Sequence, residues 1–241
     1  MSRETLRSGT RTLSAAFEPL PARVIGSVAV AHPHPGHGGN MDHSVVRAIA
    51  QRAGAAGLAA MRFDVGGVRE SEGDVLDWES HLGDLRAASD AAAENAPGLP
   101  RFGAGFSYGA RLWIEALRRG IAPPVAGLVL LAPATKVPST PKDFGALLLG
   151  RPIPGSLHDE SAIDGLRALR VPARILVGEN DVVAPPHELR DAAPPGVEVV
   201  VLPALNHFFH RGVGGGAPDL AVLVPALDTA WAAIRGAALR G

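Results

Sequence analysis

The chain has 241 residues, 46% of them hydrophobic, which is enough to bury one substantial core without metals or disulfides. Lys and Arg number 23 against 24 Asp and Glu, so the net charge of -1 gives no general field that would attract nucleic acid or an anionic membrane. With no cysteine, disulfides, a thiol nucleophile and thiolate metal ligands are excluded. We therefore expect a single domain over residues 1–241 with a small-molecule substrate, and no nucleic-acid or membrane partner; oligomeric state is unknown from the sequence.

The N-terminal segment, residues 1–16, mixes arginine with serine and threonine and lacks the apolar stretch of a secretory signal, so we expect a cytoplasmic protein. We also expect no membrane span of about 20 residues, because even the apolar run 125–134 is broken by Gly127 and Pro133.

Short apolar runs alternate with longer amphipathic segments, which is typical of βαβ units and predicts an α/β fold with a mostly parallel sheet and helices on both faces. The predicted strands are 24–31, 58–63, 101–106, 126–132, 173–177 and 197–202, with 12–17 as an edge strand. The predicted helices are 44–56, 81–95, 108–119, 186–193 and 220–239. Prolines interrupt the pattern in residues 135–171, which could form a small lid or a surface loop with one helix.

A nucleophile elbow is indicated by Gly105-Phe106-Ser107-Tyr108-Gly109, which has the G-x-S-x-G spacing between a predicted strand and a predicted helix. In a glycine-rich chain this spacing also arises by chance, so the motif needs a base and an acid. Asp181 and His207 each follow a later predicted strand, where the carboxyl ends of parallel strands meet. The order Ser107, Asp181, His207 is that of the α/β-hydrolases, and in such a triad the imidazole takes the serine proton while the carboxylate orients the ring.

Two rival residues lie close by in the sequence. Glu179 could serve as the acid in place of Asp181, and His210 could serve as the base, although His207 comes first after its strand. Taken singly, each has a plainer role, since an aspartate after a strand is often a helix cap and a histidine among apolar residues is often part of the core.

An oxyanion hole needs two N–H donors, one after the nucleophile and one from a loop after an earlier strand. Tyr108 supplies the first. The loop after strand 24–31 begins His32-Pro33-His34-Pro35, and because proline has no N–H, His34 is the expected second donor.

The same loop carries His32, His34 and His37, with His43 close behind, and histidine is a common zinc or nickel ligand. A metal site is the competing hypothesis. However, the chain has no H-E-x-x-H motif, and two histidines flanked by prolines do not fix ligand geometry. We therefore expect neither a metal site nor a cofactor.

Five segments together resemble a family of small bacterial α/β-hydrolases that is itself similar to dienelactone hydrolases and acyl peptidases. They are HPHPGHGGNMDHSVV (32–46), MRFDVGGVRESEG (61–73), GAGFSYGA (103–110), GENDVVAPP (178–186) and NHFFH (206–210). They match the family's HPHP-x-x-GG-x-M-x-N motif, RFNFRGVG-x-SEG segment, GFS-[FY]-G elbow and final HFF. The resemblance implies an α/β-hydrolase fold with the catalytic residues Ser107, Asp181 and His207.

The chain departs from this family at His43 and Asp64, where asparagine is usual, and at Gly66, where arginine is usual. These changes affect the wall of the cleft, so the substrate is left open. The candidate substrate-lining residues are His32, Asp42, His43 and Phe208. For Asp42, His43 and Asp64 the plainer role, that of solvated loop residues or caps, is favoured over a role in the cleft wall.

The predicted activity is that of a serine hydrolase, esterase or thioesterase-like, which cleaves an ester, thioester or lactone of a small acyl substrate through an acyl-enzyme. An acyltransferase or cyclase using the same triad is an alternative. A binding relative that keeps the fold without turnover is a second one.

Overall fold

A computed structural model describes residues 2–135, 160–212 and 216–238 of the chain. The described residues contain an eight-stranded sheet with the strand order β1-β2-β4-β3-β5-β6-β7-β8. The strands are β1 (Ser2–Ser8), β2 (Arg11–Phe17), β3 (Gly26–Ala31), β4 (Leu58–Phe63), β5 (Arg101–Phe106), β6 (Leu128–Leu131), β7 (Ala173–Gly178) and β8 (Val197–Leu202).

The six strands from β3 to β8 are mutually parallel where they pair. Every residue of β3, β4 and β6 is buried, because helices cover both faces of a parallel sheet and its strands are apolar on both sides. This is why continuous apolar runs located these strands in the sequence. The mostly parallel α/β architecture expected from the sequence is confirmed.

The N-terminal hairpin differs from the sequence expectation. The segment 12–17 was expected at the sheet edge, but β2 lies between β4 and β1 and is antiparallel to both. β1 is the edge strand on this side of the sheet, and β8 forms the opposite edge. Its sequence SRETLRS offers Leu6 as its single hydrophobic residue, so a strand that buries little apolar surface leaves no apolar run to detect.

The helices form two groups on the sheet. One group pairs α1 (Ser44–Ala55) with α6 (Leu220–Ala238); the other places α2 (Trp78–Glu94), α3 (Tyr108–Arg118), α4 (Glu160–Arg167) and α5 (Pro186–Ala192) in series. α4 falls within the segment 135–171, and the rest of the lid prediction, residues 136–159, lies outside the described residues.

α6 departs from the expectation that no apolar run reaches the length of a membrane span. By length and composition alone it is the one helix among the described residues that could cross a membrane. In this fold, however, its residues Leu223, Leu227, Trp231 and Ile234 are fully buried, and the helix packs against α1, β6 and β7. Its apolar character therefore also fits a helix that covers the sheet.

A buried arginine on β4 joins three parts of the fold. The guanidinium of Arg62 is completely buried and donates to Glu18 Oε1 at 2.9 Å, to the carbonyl of Met41 at 2.5 Å and to Asp42 Oδ1 at 3.0 Å. Glu18 directly follows β2, and Met41 and Asp42 precede α1. The arginine thus fixes the entry to α1 on the sheet, and a buried charge of this kind is tolerated only because it is paired.

Replacing this arginine should strongly destabilise the protein. We expect Arg62→Met to lower the free energy of unfolding by about 3–5 kcal/mol, because Glu18 would keep a buried carboxylate without its partner. The matched control is Arg174→Met, whose partner Glu198 is 60% exposed and whose loss should cost about 0–1 kcal/mol. Urea unfolding measures both; equal losses would contradict this account of Arg62.

Candidate active site

Ser107 lies on a sharp turn between β5 and α3. Its backbone adopts φ 54° and ψ -110°, a conformation that side-chain-bearing residues seldom adopt and that costs about 1–3 kcal/mol. The turn is tight because glycine stands on both sides of it. A Cβ on Gly105 would lie 2.5 Å from the carbonyl carbon of Gly109, and a Cβ on Gly109 would lie within 2.7 Å of the His32 carbonyl oxygen. The sequence prediction of an elbow is thus matched by its backbone geometry.

Three side chains from separate strand ends meet at this turn. The Oγ of Ser107 lies 2.9 Å from Nε2 of His207, and Nδ1 of the same ring lies 2.8 Å from Oδ2 of Asp181. A carboxylate can only accept, so Nδ1 carries the proton and Nε2 is left to accept from the serine hydroxyl. All three residues are buried, with Ser107 the most exposed at 7%. This hydrogen-bond chain can pass the serine proton to the imidazole.

The carboxylate of Asp181 is held in place by the backbone. Its second oxygen, Oδ1, accepts the N–H groups of Val183 at 2.9 Å and Ala184 at 2.8 Å. Those two bonds leave Oδ2 directed at His207. The aspartate therefore combines a local turn-stabilising role with the contact to the imidazole.

The two rival residues are engaged elsewhere. Glu179 accepts the N–H of Ala204 at 2.9 Å, in the turn after β8, and so supports the segment that carries His207. His210 accepts from the side-chain amide of Asn206 at 3.0 Å, and its ring stacks on Phe208. The structure thus brings Asp181 and His207 to Ser107, and gives Glu179 and His210 supporting positions.

The loop after β3 lies against the elbow. The rings of His34 and Tyr108 meet edge-on with centroids 5.0 Å apart. The N–H of Tyr108 opens α3, and Ser107 makes no side-chain cap to that helix. Within the described residues, neither this N–H nor that of His34 donates to a protein acceptor. Both N–H groups are therefore available as donors, which is what an oxyanion requires.

His32 differs from its expected place in the substrate-lining surface. Its ring is 1% exposed, and both nitrogens are used within the chain. Nδ1 lies 2.6 Å from the carbonyl of Pro33 and donates to it, while Nε2 accepts the N–H of Val65 at 3.2 Å. Burial lowers the pKa of His32 from 6.5 to about 4, which keeps the ring neutral and able to accept. It therefore ties the loop after β3 to the end of β4.

Asp42 and Asp64 are held by Arg69, a residue that the sequence analysis did not single out. The guanidinium donates to Oδ2 of Asp64 and Oδ2 of Asp42, both at 2.7 Å. Asp64 also accepts the N–H of Met41 at 2.6 Å. Burial raises the pKa of Asp64; at Asp42 burial acts in the same direction, but hydrogen bonds from Arg69 and Arg62 outweigh it and lower the pKa. The departure at Asp64 is thus paired with an arginine five residues later.

The remaining departure, Gly66, makes room for another arginine. A Cβ at this position would collide with Nη1 of Arg11, whose guanidinium also pairs with the buried Asp84 at 2.6 Å. The guanidinium of Arg11, from β2, thus occupies the space in which a side chain at position 66 would begin. The sequence signal was weak, because the two residues are far apart in the chain.

His43 and Phe208 both have ring contacts with Phe106, the residue before Ser107. Both are partly buried; the Phe208 ring lies 5.4 Å from that of His207, and the His43 ring lies 5.4 Å from that of Phe106. His43 also caps α1, since its Nδ1 accepts the N–H of Val45 at 3.3 Å. The other nitrogen of a neutral ring then carries a proton and is a donor. Burial lowers the pKa of His43 and favours this neutral form.

The four clustered histidines do not converge as ligands. His32, His34 and His43 each use Nδ1 in a bond to nearby backbone. Over residues 2–135, 160–212 and 216–238, no group of three or more histidine, aspartate or glutamate side chains is arranged to hold a metal ion.

The family model for serine aminopeptidases of type S33 matches residues 34–158, just over half of the chain. The chain belongs to this family. The matched segment contains the loop after β3 from His34 onwards and the turn at Ser107, while Asp181 and His207 lie beyond it. The family membership makes the protein a serine hydrolase, without distinguishing ester from peptide substrates.

Solved structures with the same fold cover nearly the whole chain. An α/β serine hydrolase homologue from Coxiella burnetii is 24% identical, with a TM-score of 0.72 over 95% of this chain and 96% of its own. An α/β serine hydrolase without a lid from Xanthomonas campestris is 21% identical, with a TM-score of 0.69 over 99% and 94%. Est1E from Butyrivibrio proteoclasticus, solved with ferulic acid bound, is 16% identical, with a TM-score of 0.71 over 97% and 99%. A search of curated proteins gave no match. The α/β-hydrolase fold is thereby confirmed.

The burial of neutral His32 predicts that this hydrolase loses stability in mild acid. The ring takes up a proton near pH 6.5 in the unfolded chain and only near pH 4 in the folded protein. The contribution of neutral His32 to the free energy of unfolding is therefore complete above pH 6.5 and declines as the pH falls towards 4. The slope from this one group should approach about 1.4 kcal/mol per pH unit.

Urea unfolding between about pH 7 and 4.5 measures this slope. His32→Gln, whose side-chain oxygen can still accept from Val65, should reduce it. His187→Gln is the matched control, because His187 is 76% exposed on α5 and should leave the slope unchanged. A His32→Gln variant with the full wild-type slope would contradict the assignment.

Proposed function

We propose that this protein is a serine hydrolase that cleaves an ester, thioester or lactone of a small acyl substrate, with Ser107 as nucleophile, His207 as general base and Asp181 as the orienting acid. The observation that carries the proposal is the unbroken hydrogen-bond chain of 2.9 and 2.8 Å from the serine hydroxyl to the aspartate. A serine hydroxyl becomes an effective nucleophile only when such a base is within reach.

In the acylation step, Oγ of Ser107 would attack the substrate carbonyl carbon while its proton moves to Nε2 of His207. The carboxylate of Asp181 would stabilise the resulting imidazolium. The oxygen of the tetrahedral intermediate would accept hydrogen bonds from the N–H groups of His34 and Tyr108. Collapse of the intermediate would break the bond to the leaving group, which takes the proton from His207.

In the second step, water would give a proton to His207 and attack the acyl carbon, releasing the acid and restoring the serine. Nothing in this sequence of steps uses a cofactor.

We further infer that the protein is a single domain that acts in the cytoplasm. Acyl transfer would use the same acyl-enzyme with another acceptor, so a screen of alcohols and amines separates it from hydrolysis.

The family name leaves an aminoacyl amide as the main competing substrate. Recognition of a free α-amino group calls for a carboxylate near the nucleophile. Among the residues that the structure describes, the candidate carboxylates Asp181, Asp42 and Asp64 are already held by His207, Arg62 and Arg69. This engagement favours the ester-type substrate, and parallel assays with a p-nitrophenyl ester and an amino-acid p-nitroanilide test it.

Removal of the nucleophile should abolish turnover. We expect Ser107→Ala to lower kcat for p-nitrophenyl acetate by about 10³-fold or more and to abolish labelling by a fluorophosphonate. Ser89→Ala, a buried serine on α2 outside the site, is the control and should retain both. A folded wild-type protein that is neither labelled nor active would refute the proposed function.

The choice between the two acidic residues can be tested separately. Asp181→Asn should lower kcat by about 10⁴-fold, because an amide favours the wrong tautomer of the imidazole. Glu179→Gln keeps an oxygen for the N–H of Ala204, so we expect its kcat to fall less than about threefold. The reverse order of the two losses would assign the acid to Glu179.

A further inference from the structure

His81 is a buried histidine next to the elbow that takes no part in the proposed chemistry. His81, on the first turn of α2, is 0% exposed. Its Nδ1 lies 2.6 Å from the hydroxyl of Tyr108, the residue after the nucleophile. Its Nε2 lies 3.1 Å from the carbonyl oxygens of both Gly66 and Asp74.

The partners of His81 fix where its proton is. Two carbonyl oxygens can only accept, so Nε2 carries the hydrogen and shares it between Gly66 and Asp74. In a neutral ring, Nδ1 then accepts from the Tyr108 hydroxyl. Burial raises the pKa of Tyr108, so the phenol keeps its proton and remains a donor. The bond therefore has one direction, from Tyr108 to His81.

The loop residue Gly66, which accepts from Nε2 of His81, is itself held by the buried carboxylate of Asp84. The N–H of Gly66 donates to Oδ2 of Asp84 at 2.9 Å, and Asp84 pairs with Arg11 at 2.6 Å. Asp84 lies one helical turn after His81 on α2, so one helix face holds both residues against the same loop. The ring of His81 is thus fixed by groups that do not belong to the proposed catalytic triad.

Tyr108 is fixed through its side chain as well as through its backbone. Its ring meets those of His34 and Trp78 edge-on, each at 5.0 Å. Its backbone N–H begins α3 directly after the strained Ser107. A ring held at its hydroxyl and on two sides restricts rotation of this first helical residue, and so restricts the direction of its N–H.

We propose that His81 is a positioning residue that, through the hydroxyl of Tyr108, holds the Tyr108 N–H in line with the oxyanion. The inference rests on the proposed function, because it concerns the same oxyanion hole. Donors that are aligned before the reaction need no reorganisation when charge develops, and small misplacements reduce the rate. A misaligned Tyr108 N–H should lower kcat less than the complete loss of that donor would, so we expect kcat to fall about tenfold.

Two substitutions at His81 distinguish its bond to Tyr108 from its bonds to Gly66 and Asp74. The amide nitrogen of His81→Gln reaches roughly the place of Nε2, so it keeps the bonds to Gly66 and Asp74 and loses the acceptor for Tyr108. The side-chain oxygen of His81→Asn lies roughly at the place of Nδ1, so it keeps that acceptor and loses the loop bonds. Tyr108→Phe removes only the hydroxyl.

The experiment measures kcat and KM for p-nitrophenyl acetate, and inhibition by a trifluoromethyl ketone, which forms a tetrahedral adduct on serine. We expect His81→Gln and Tyr108→Phe to lower kcat about tenfold with KM within about twofold of wild type. The inhibition constant of the ketone should rise by a similar factor. His81→Asn should stay within about threefold of wild type. The double variant Tyr108→Phe with His81→Gln should be no slower than either single variant, because both break one bond. His187→Gln is the control for unchanged activity.

Three outcomes would overturn the inference. Wild-type kcat in Tyr108→Phe would do so even if the His81 variants fail to fold, and so would multiplying effects in the double variant. A loss in His81→Asn as large as that in His81→Gln would show that the loop bonds matter instead. If wild type is inactive and Ser107 is not labelled, the proposed function fails as well; normal wild-type turnover with an unaffected Tyr108→Phe rejects the inference alone.

Discussion

The close approach of α3 to the end of β3 is the constraint on which the site depends. The first turn of the helix packs on the carbonyl groups of Ala31 and His32, and this is possible only because Gly109 has no Cβ. The same approach brings the loop that follows β3 beside the residue that follows Ser107. The ring of His34 in that loop contacts the ring of Tyr108, and Oγ of Ser107 lies within hydrogen-bond distance of the His207 imidazole.

The residues around the elbow form a stiff support of neutral histidines and paired charges. His32 joins the loop after β3 to the end of β4, and Arg62 and Arg69 bond to Met41 and Asp42, just before α1. Buried charges stabilise little when they are fully paired, but they penalise every arrangement that leaves one of them alone. Such a network therefore restricts the loop after β3 to one geometry more than it raises the free energy of unfolding.

The sequence predicted those parts of the structure that leave a local pattern in the chain, and it missed those that depend on contacts between distant residues. The parallel strands were located because they are mostly apolar runs, and residues 58–63, 101–106 and 197–202 agree with the observed bounds. β1 was missed because Leu6 is its single hydrophobic residue, so it has no apolar run, whereas the edge strand β8 does. Ser107, Asp181 and His207 were found because each follows a strand. Arg11 and His81 were not, because their roles arise from contacts between residues far apart in sequence, which have no local pattern.

Trapping of a covalent intermediate tests the central claim most directly. A p-nitrophenyl carbamate transfers its carbamoyl group to a serine nucleophile and the product hydrolyses slowly, so intact-mass and peptide mass spectrometry can locate the group. We expect one carbamoyl group per chain, on the peptide that contains Ser107, with turnover of p-nitrophenyl acetate lost in proportion. Inactivation without modification of Ser107, or full turnover after its stoichiometric modification, would contradict the account.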